Sequence, residues 1–349
     1  MKQMIFDGHN DVLSKLSKLG GPDQADAFQT GLPGQLDAAK AQAGGFGGGF
    51  FALWARSDMS LEQLDAVPRH PTYDFPLPPP LTQADAWQMI KAQADILLHL
   101  NASGAVVMCT SVDMIQAARA DGKIAAIFHV EGADCIGSDL AGLDTLYDMG
   151  LRSLGLVWSR PTIFGQGVPF RYPSDGDIGA GLSDAGRALV ARCNALKVLI
   201  DLSHLNAAGV RDVAEISDAP LVATHSNPHA VAPHARNLTD DQLTMIAGSG
   251  GVAGLNFETT FLRPDGRPNR EVPTDMVMRH LDYMLQHLGE EGVVIGSDYD
   301  GCSPPLWLYS ANKLPALVQA MQAHGYRDDR IERICWSNWM RVLRDTWGG

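Results

Sequence analysis

Six residues of this sequence carry groups that can hold a metal ion or move a proton, and each lies at or just behind a short apolar run. They are His9 and Asp11 after Met4-Ile5-Phe6, Glu131 after Ile124–Val130, His204 after Val198–Leu202, His225 after Leu221–Ala223, and Asp298 after Val293–Ile295. In His9-Asn10-Asp11 the two outer side chains share one side of a strand, because side chains alternate with period two. A neutral imidazole beside a carboxylate is half of a zinc-type site. His-x-Asp alone also reads as a hydrogen-bonded strand end, so the other positions decide. Three histidines and three carboxylates suit a pair of zinc-like ions sharing a bridging carboxylate and a hydroxide.

Such a set needs parallel strands that finish on one face. Eight short runs, apolar on both faces, begin after residues 4, 50, 124, 152, 198, 221, 251 and 293. Helical segments separate most of them, as in a buried parallel sheet. Eight such units make a closed (β/α)8 TIM-type barrel of the α/β class, and the six residues fall at the C-terminal strand ends where barrels place chemistry. No change of composition divides residues 1–349, which read as a single domain. Expected helices include Leu13–Leu19, Thr82–Leu100 capped by Thr82, and Thr274–Leu288. The run Gly44–Gly49 lacks the Lys-Ser/Thr of a phosphate loop and reads as a flexible or close-packed turn leading into a strand. The stretch Pro68–Pro80 is too rich in proline for regular structure. Ile331–Trp347 reads as a helix on the outside of the barrel, with Trp336 and Trp339 in packing roles.

Composition narrows the partners. A formal net charge of −13 argues against nucleic acid and against anionic membranes. No apolar run is long enough to span a bilayer, and Met1-Lys2-Gln3-Met4 enters a strand with no signal-like region. Five cysteines are scattered without Cys-x-x-Cys spacing, which fits a reducing cytoplasm and no disulfide framework. His129, two residues before Glu131, also points inward and reads as a hydrogen-bonded core residue one layer below. His229 and His234 are placed to line a pocket from the loop after the sixth strand.

The chain resembles the membrane (renal) dipeptidase family of zinc peptidases, family M19, within the amidohydrolase-like barrels. The matching segments are Asp7-Gly-His9-Asn-Asp11, His129-Val-Glu131-Gly132, Asp201-Leu-Ser-His204, Ala223-Thr-His225-Ser226, His234-Ala-Arg236-Asn-Leu-Thr-Asp-Asp241 and Gly296-Ser-Asp298-Tyr-Asp-Gly301. The resemblance implies that His9 and Asp11 hold one ion, His204 and His225 the other, and Glu131 bridges them, with Zn2+ the expected metal. It implies that Arg236 binds a substrate carboxylate, that Asp298 acts beside the bridging hydroxide, and that the chain forms a homodimer. Two positions depart from the family pattern. Trp158 stands where the fourth strand usually ends in His, and Glu258 stands where Tyr is usual; both are expected around the substrate, not the metals. The implied reaction is hydrolysis of small dipeptides with a free C-terminal carboxylate, with room for a D residue at that end. The two departures invite another amide, lactam or lactone as the alternative substrate. A non-catalytic binding protein is disfavoured, because a binder has no need of Asp298 as a proton shuttle.

Overall fold

The computed structural model describes residues 3–57 and 72–348. Eight parallel strands form the centre: β1 (Ile5–Asn10), β2 (Phe46–Trp54), β3 (Ala125–Glu131), β4 (Leu151–Gly155), β5 (Leu199–Asp201), β6 (Val222–Ala223), β7 (Val252–Leu255) and β8 (Val293–Ile295). Each pairs with its sequence neighbour except at one seam, where β1 meets β8 through Asp7 and Ile295, so the cylinder closes. Closure leaves no barrel strand with an open edge. Helices pack around it, among them Val12–Leu19, Gln83–Ala102, Asp184–Leu196, Ala207–Ile216 and Thr274–Leu288. Their starts follow local chemistry. The side chains of Thr82, Ser183 and Asn206 accept the N–H groups of Asp85, Gly186 and Gly209, donors that the first turn cannot satisfy internally.

Four expectations change. The glycine run is not a turn: Gly47-Gly48-Gly49 lies inside β2, which starts at Phe46. A Cβ on Gly49 would sit 2.5 Å from the Asp7 carbonyl oxygen, and one on Gly48 would sit 2.4 Å from that of Ala125. Glycine is what lets β1 and β3 approach β2 from its two sides. A two-residue strand, Val107–Met108, was not foreseen; it pairs with Ala125–Ala126 at the start of β3, below the point where β4 takes over at Phe128. Residues 68–71 of the proline-rich stretch lie outside the described residues; Pro76–Pro80 has no regular structure, but Tyr73–Asp74 forms a short strand paired antiparallel with Arg171–Tyr172, contrary to expectation, because no proline interrupts those two residues.

The fourth change concerns the C-terminal segment, which forms helical turns from Asp328 to Trp347. It lies not on the barrel's flank but across its N-terminal mouth. Trp336 and Trp339 are buried with Phe6, Phe50, Ile127, Leu199, Val252 and Val294 in a cluster separate from the larger core between strands and helices. The Trp339 indole donates to the Ile295 carbonyl at 3.1 Å, and its ring centroid is 4.7 Å from that of Phe50. Gly8 makes the room, since a Cβ there would lie 2.7 Å from the Trp339 ring. The tryptophans thus form the floor on which the polar layer stands. Trp339→Ala should leave a cavity beneath that layer and lower stability by about 3–5 kcal/mol, read from chemical denaturation. Wild-type stability would remove Trp339 from this role.

Candidate metal centre and active site

Glu131, the last residue of β3, projects into the barrel mouth with its two oxygens facing different partners. Its Oε1 lies 3.0 Å from His204 Nε2 and 3.4 Å from His225 Nε2. Its Oε2 lies 3.7 Å from His9 Nε2, which is 3.6 Å from Asp11 Oδ2. Two ligands of one zinc ion, each at 2.0–2.1 Å, sit about 3.3 Å apart in tetrahedral geometry. The observed separations cluster around that value. Neither ring nitrogen of His9 has a hydrogen-bond partner among the described residues, an orphaned state that a ligand to His9 would relieve. His9, Asp11 and Asp298 bring ligand atoms within 4.8 Å of one another, as do His9, Glu131 and His225. The five histidines and carboxylates other than Asp298 are buried.

The backbone makes room for this convergence at a cost. His204 and Asp298 take φ of 69° and 61°, the left-handed region that non-glycine residues seldom occupy, and such strain gathers at functional sites. The imidazoles are also held from behind. His204 Nδ1 is 2.7 Å from Ser159 Oγ, and His225 Nδ1 is 2.7 Å from Thr224 Oγ1. Thr224 Oγ1 donates onward to Asp201 Oδ2 at 2.6 Å, so its lone pair is left for the His225 Nδ1–H. That tautomer turns the Nε2 lone pair of His225 toward Glu131. His129 sits one layer down, bonded to Ser153 Oγ at 2.9 Å, as the sequence indicated.

Charge at the site is unbalanced in one direction. Burial pushes the Glu131 carboxyl up to about 8 and that of Asp298 to about 7, with Asp11 adding repulsion against His9's attraction. Burial disfavours the His9 cation, yet Glu131 and Asp11 outweigh it and lift His9 to about 10. Burial, with His9 and Arg236 nearby, holds His204 and His225 well below the ordinary imidazole range. The cluster therefore draws positive charge to itself while keeping two neutral imidazoles, the form that binds metal.

A cavity of about 430 Å³ opens above this layer. Trp158 lines it and packs against Trp54 at 5.0 Å and Phe170 at 5.7 Å between ring centroids. Glu258 lines it too, but its carboxylate is already engaged, accepting from Thr260 N and Ser303 N at 2.9 and 2.7 Å. Arg236 is buried one layer behind the cavity surface. It donates to Ser226 Oγ at 2.6 Å and to the His225 carbonyl at 3.1 Å, and Nε has no partner among the described residues. His229 and His234 do not reach the cavity: His229 bonds the Ser174 carbonyl, and His234 Nδ1 accepts the Arg236 N–H. Sequence reasoning missed Ser159, Thr224 and Asp201. The signal lay in the Thr-His pair at 224–225 and in the Asp three residues before His204.

The sequence model of the membrane dipeptidase family, peptidase family M19, matches residues 1–347. The chain belongs to that family. It is a metal-dependent dipeptidase with the family's closed barrel. A solved metallopeptidase from Rhodobacter sphaeroides, liganded with a phosphinate mimic of the dipeptide L-Ala-D-Ala, is 45% identical and superposes with a TM-score of 0.95, covering 99% of this chain and 100% of that one. The structure of dipeptidase AC, also a metallopeptidase of family M19, is 46% identical over the full length of both chains, with a TM-score of 0.94. An uncharacterized protein encoded in the pqqA 5′ region of Klebsiella pneumoniae is 40% identical over 261 residues, 75% of this chain and 96% of that protein. No helix among the described residues is long and apolar enough to cross a membrane.

The Asp201–Thr224–His225 relay predicts a defect specific to metal retention. Thr224→Val keeps shape but removes the hydroxyl, and it should weaken metal binding about 10–100-fold in competition with a chromophoric chelator, with Thr224→Ser near wild type. Equal retention in all three proteins would show that the hydroxyl does not tune the ligand.

Proposed function

We propose that the protein hydrolyses small dipeptides bearing a free C-terminal carboxylate, with a D residue accepted at that end, by means of two divalent ions, Zn2+ being the expected metal. The single observation that carries this is Glu131, whose two oxygens face His204 and His225 on one side and His9 with Asp11 on the other. His9 and Asp11 would hold one ion, His204 and His225 the second, and Glu131 both. When bound, such a pair supplies hydroxide at neutral pH and a polarised carbonyl. The D residue is supported by the L-Ala-D-Ala mimic held by the similar Rhodobacter sphaeroides enzyme.

The chain's own groups divide the remaining work. Asp298 takes the proton released as the nucleophile attacks and returns it to the departing amine. Asn256 Nδ2 donates to its Oδ2 at 3.0 Å, which fixes the carboxylate while Oδ1 stays available. A carboxyl raised toward neutrality is suited to both halves of that transfer. Arg236, a buried cation with Nε unengaged, draws the substrate carboxylate toward the His225 side. Trp158, with Trp54 and Phe170, forms an aromatic wall that excludes water and packs on the substrate side chain. Trp158 cannot ligate or take a proton, so Asp298 is the proton carrier in this scheme. Glu258 shapes the opposite wall by tying Thr260 to Ser303.

Asp298→Asn keeps the Asn256 contact and removes the base. Its kcat on a dipeptide should fall roughly 10²–10⁴-fold while metal content, measured on the same preparation, stays at the wild-type level. Joint loss of metal and activity would make Asp298 a ligand instead, and unimpaired turnover would remove it from the reaction.

A further inference from the structure

The cavity is polarised in a way the hydrolytic scheme does not use. Its wall from β2 and β4 is aromatic, carrying Trp54, Trp158 and Phe170, whereas its rim beside β1 and β8 carries two cations, Lys18 and Arg270. Lys18 stands one turn beyond Ser14 on the helix Val12–Leu19, and both face the cavity with Asp11. Arg270 comes from the loop after β7 and is half-buried.

Arg270 is held as a receptor group would be. Its Nε donates to the Pro304 carbonyl at 2.9 Å, and its guanidinium lies over the Tyr309 ring at 4.6 Å. Those contacts fix the plane of the group yet leave both terminal nitrogens without a hydrogen bond or ion pair among the described residues. Lys18 likewise has no ion-pair partner there. The acids that could have answered these cations are committed elsewhere. Asp300 accepts from Lys15 at 3.2 Å and from the backbone N–H groups of Gln35 and Leu36. Glu258 is capped by Thr260 and Ser303, and Asp11 and Asp298 face His9. Two unanswered cations at the edge of a substrate cavity, one of them a fixed planar fork, match a carboxylate supplied by the ligand.

We propose that Arg270 and Lys18 form a subsite for an acidic side chain, so that the preferred dipeptides carry Asp or Glu at one of their two positions. This rests on the dipeptidase reading above. It is separate from Arg236, which lies behind His225 and away from the cavity surface.

The experiment compares kcat/KM for dipeptides carrying Glu, Gln, Asp, Asn or Ala, in L and D forms, at each position in turn, using metal-replete enzyme. The acidic member of a Glu/Gln or Asp/Asn pair should lead by about tenfold or more at one position, the scale of a hydrogen bond to a charged group. That ratio should shrink with added salt and fall toward one in Arg270→Gln, with Arg270→Lys restoring part of it. Lys18→Gln, on an exposed helix end, should lower the same ratio and guards against a folding defect in the Arg270 variants. Equal rates for acid and amide at both positions, or a ratio indifferent to both substitutions, would overturn the subsite. C-terminally amidated dipeptides form a further arm. If Arg270→Gln abolishes discrimination against amidation and leaves the Glu/Gln ratio intact, Arg270 reads the terminal carboxylate and the side-chain subsite is refuted. Hydrolysis of Ala-Ala without any acidic preference refutes the subsite alone, whereas failure to hydrolyse every dipeptide refutes the underlying reading as well.

Discussion

One buried carboxylate sets the terms for the rest of the molecule. Glu131 sits at the barrel axis with three imidazoles within 3.7 Å of its oxygens, and Asp11 and Asp298 close by. Removed from water, that much negative charge is unfavourable unless cations answer it. The protein alone answers with protons, on His9 and on the raised carboxyls of Glu131 and Asp298. A metal ion would be the better answer, since it would also engage the orphaned Nε2 of His9 and the Nε2 lone pairs of His204 and His225. Membership of a metallopeptidase family and the electrostatics of the site therefore lead to the same conclusion by independent routes.

The scaffold can be understood as what it takes to hold that layer still. From below, Trp336 and Trp339 fill the barrel's N-terminal mouth, and Gly8 gives them space. From the side, Asp201 gathers Ser203 N, Thr224 N and Thr224 Oγ1, joining the ends of β5 and β6 and aiming His225. At the seam of β1 and β8, Asp7 accepts from the backbone N–H and hydroxyl of Ser297, the residue before Asp298. Each of these contacts positions a reactive group through a neighbour, which is how a site made from five different strand ends keeps its geometry.

Much of this was legible in the sequence, for reasons that vary by element. The metal-type residues could be found because each ends an apolar strand, and parallel barrel strands put their C-terminal ends together. The helices begun at Thr82 and Thr274 were legible from their spacing, the first also from its Thr82 cap. Val107–Met108 was not, because two residues carry no period. Gly47–Gly49 was misread since glycine usually marks a turn, and only the closeness of Asp7 and Ala125 shows why a strand needs it here. The C-terminal segment was recognised as helical but placed on the wrong side, because periodicity gives a buried face without saying what covers it. Arg236 was tied to substrate by its surrounding motif, yet its depth behind His225 depends on loop geometry that no local pattern encodes. Ser159, Thr224 and Asp201 were overlooked because hydroxyls near histidines are common and acquire meaning only with distances.

If Glu131 organises two ions, hydrolysis should need both. Metal-free protein titrated with zinc, with dipeptide turnover and bound metal followed together, tests it most directly. Activity should rise with occupancy and reach its plateau at about two ions per chain. Full turnover by metal-free protein, or a plateau at one equivalent with no further binding, would contradict it.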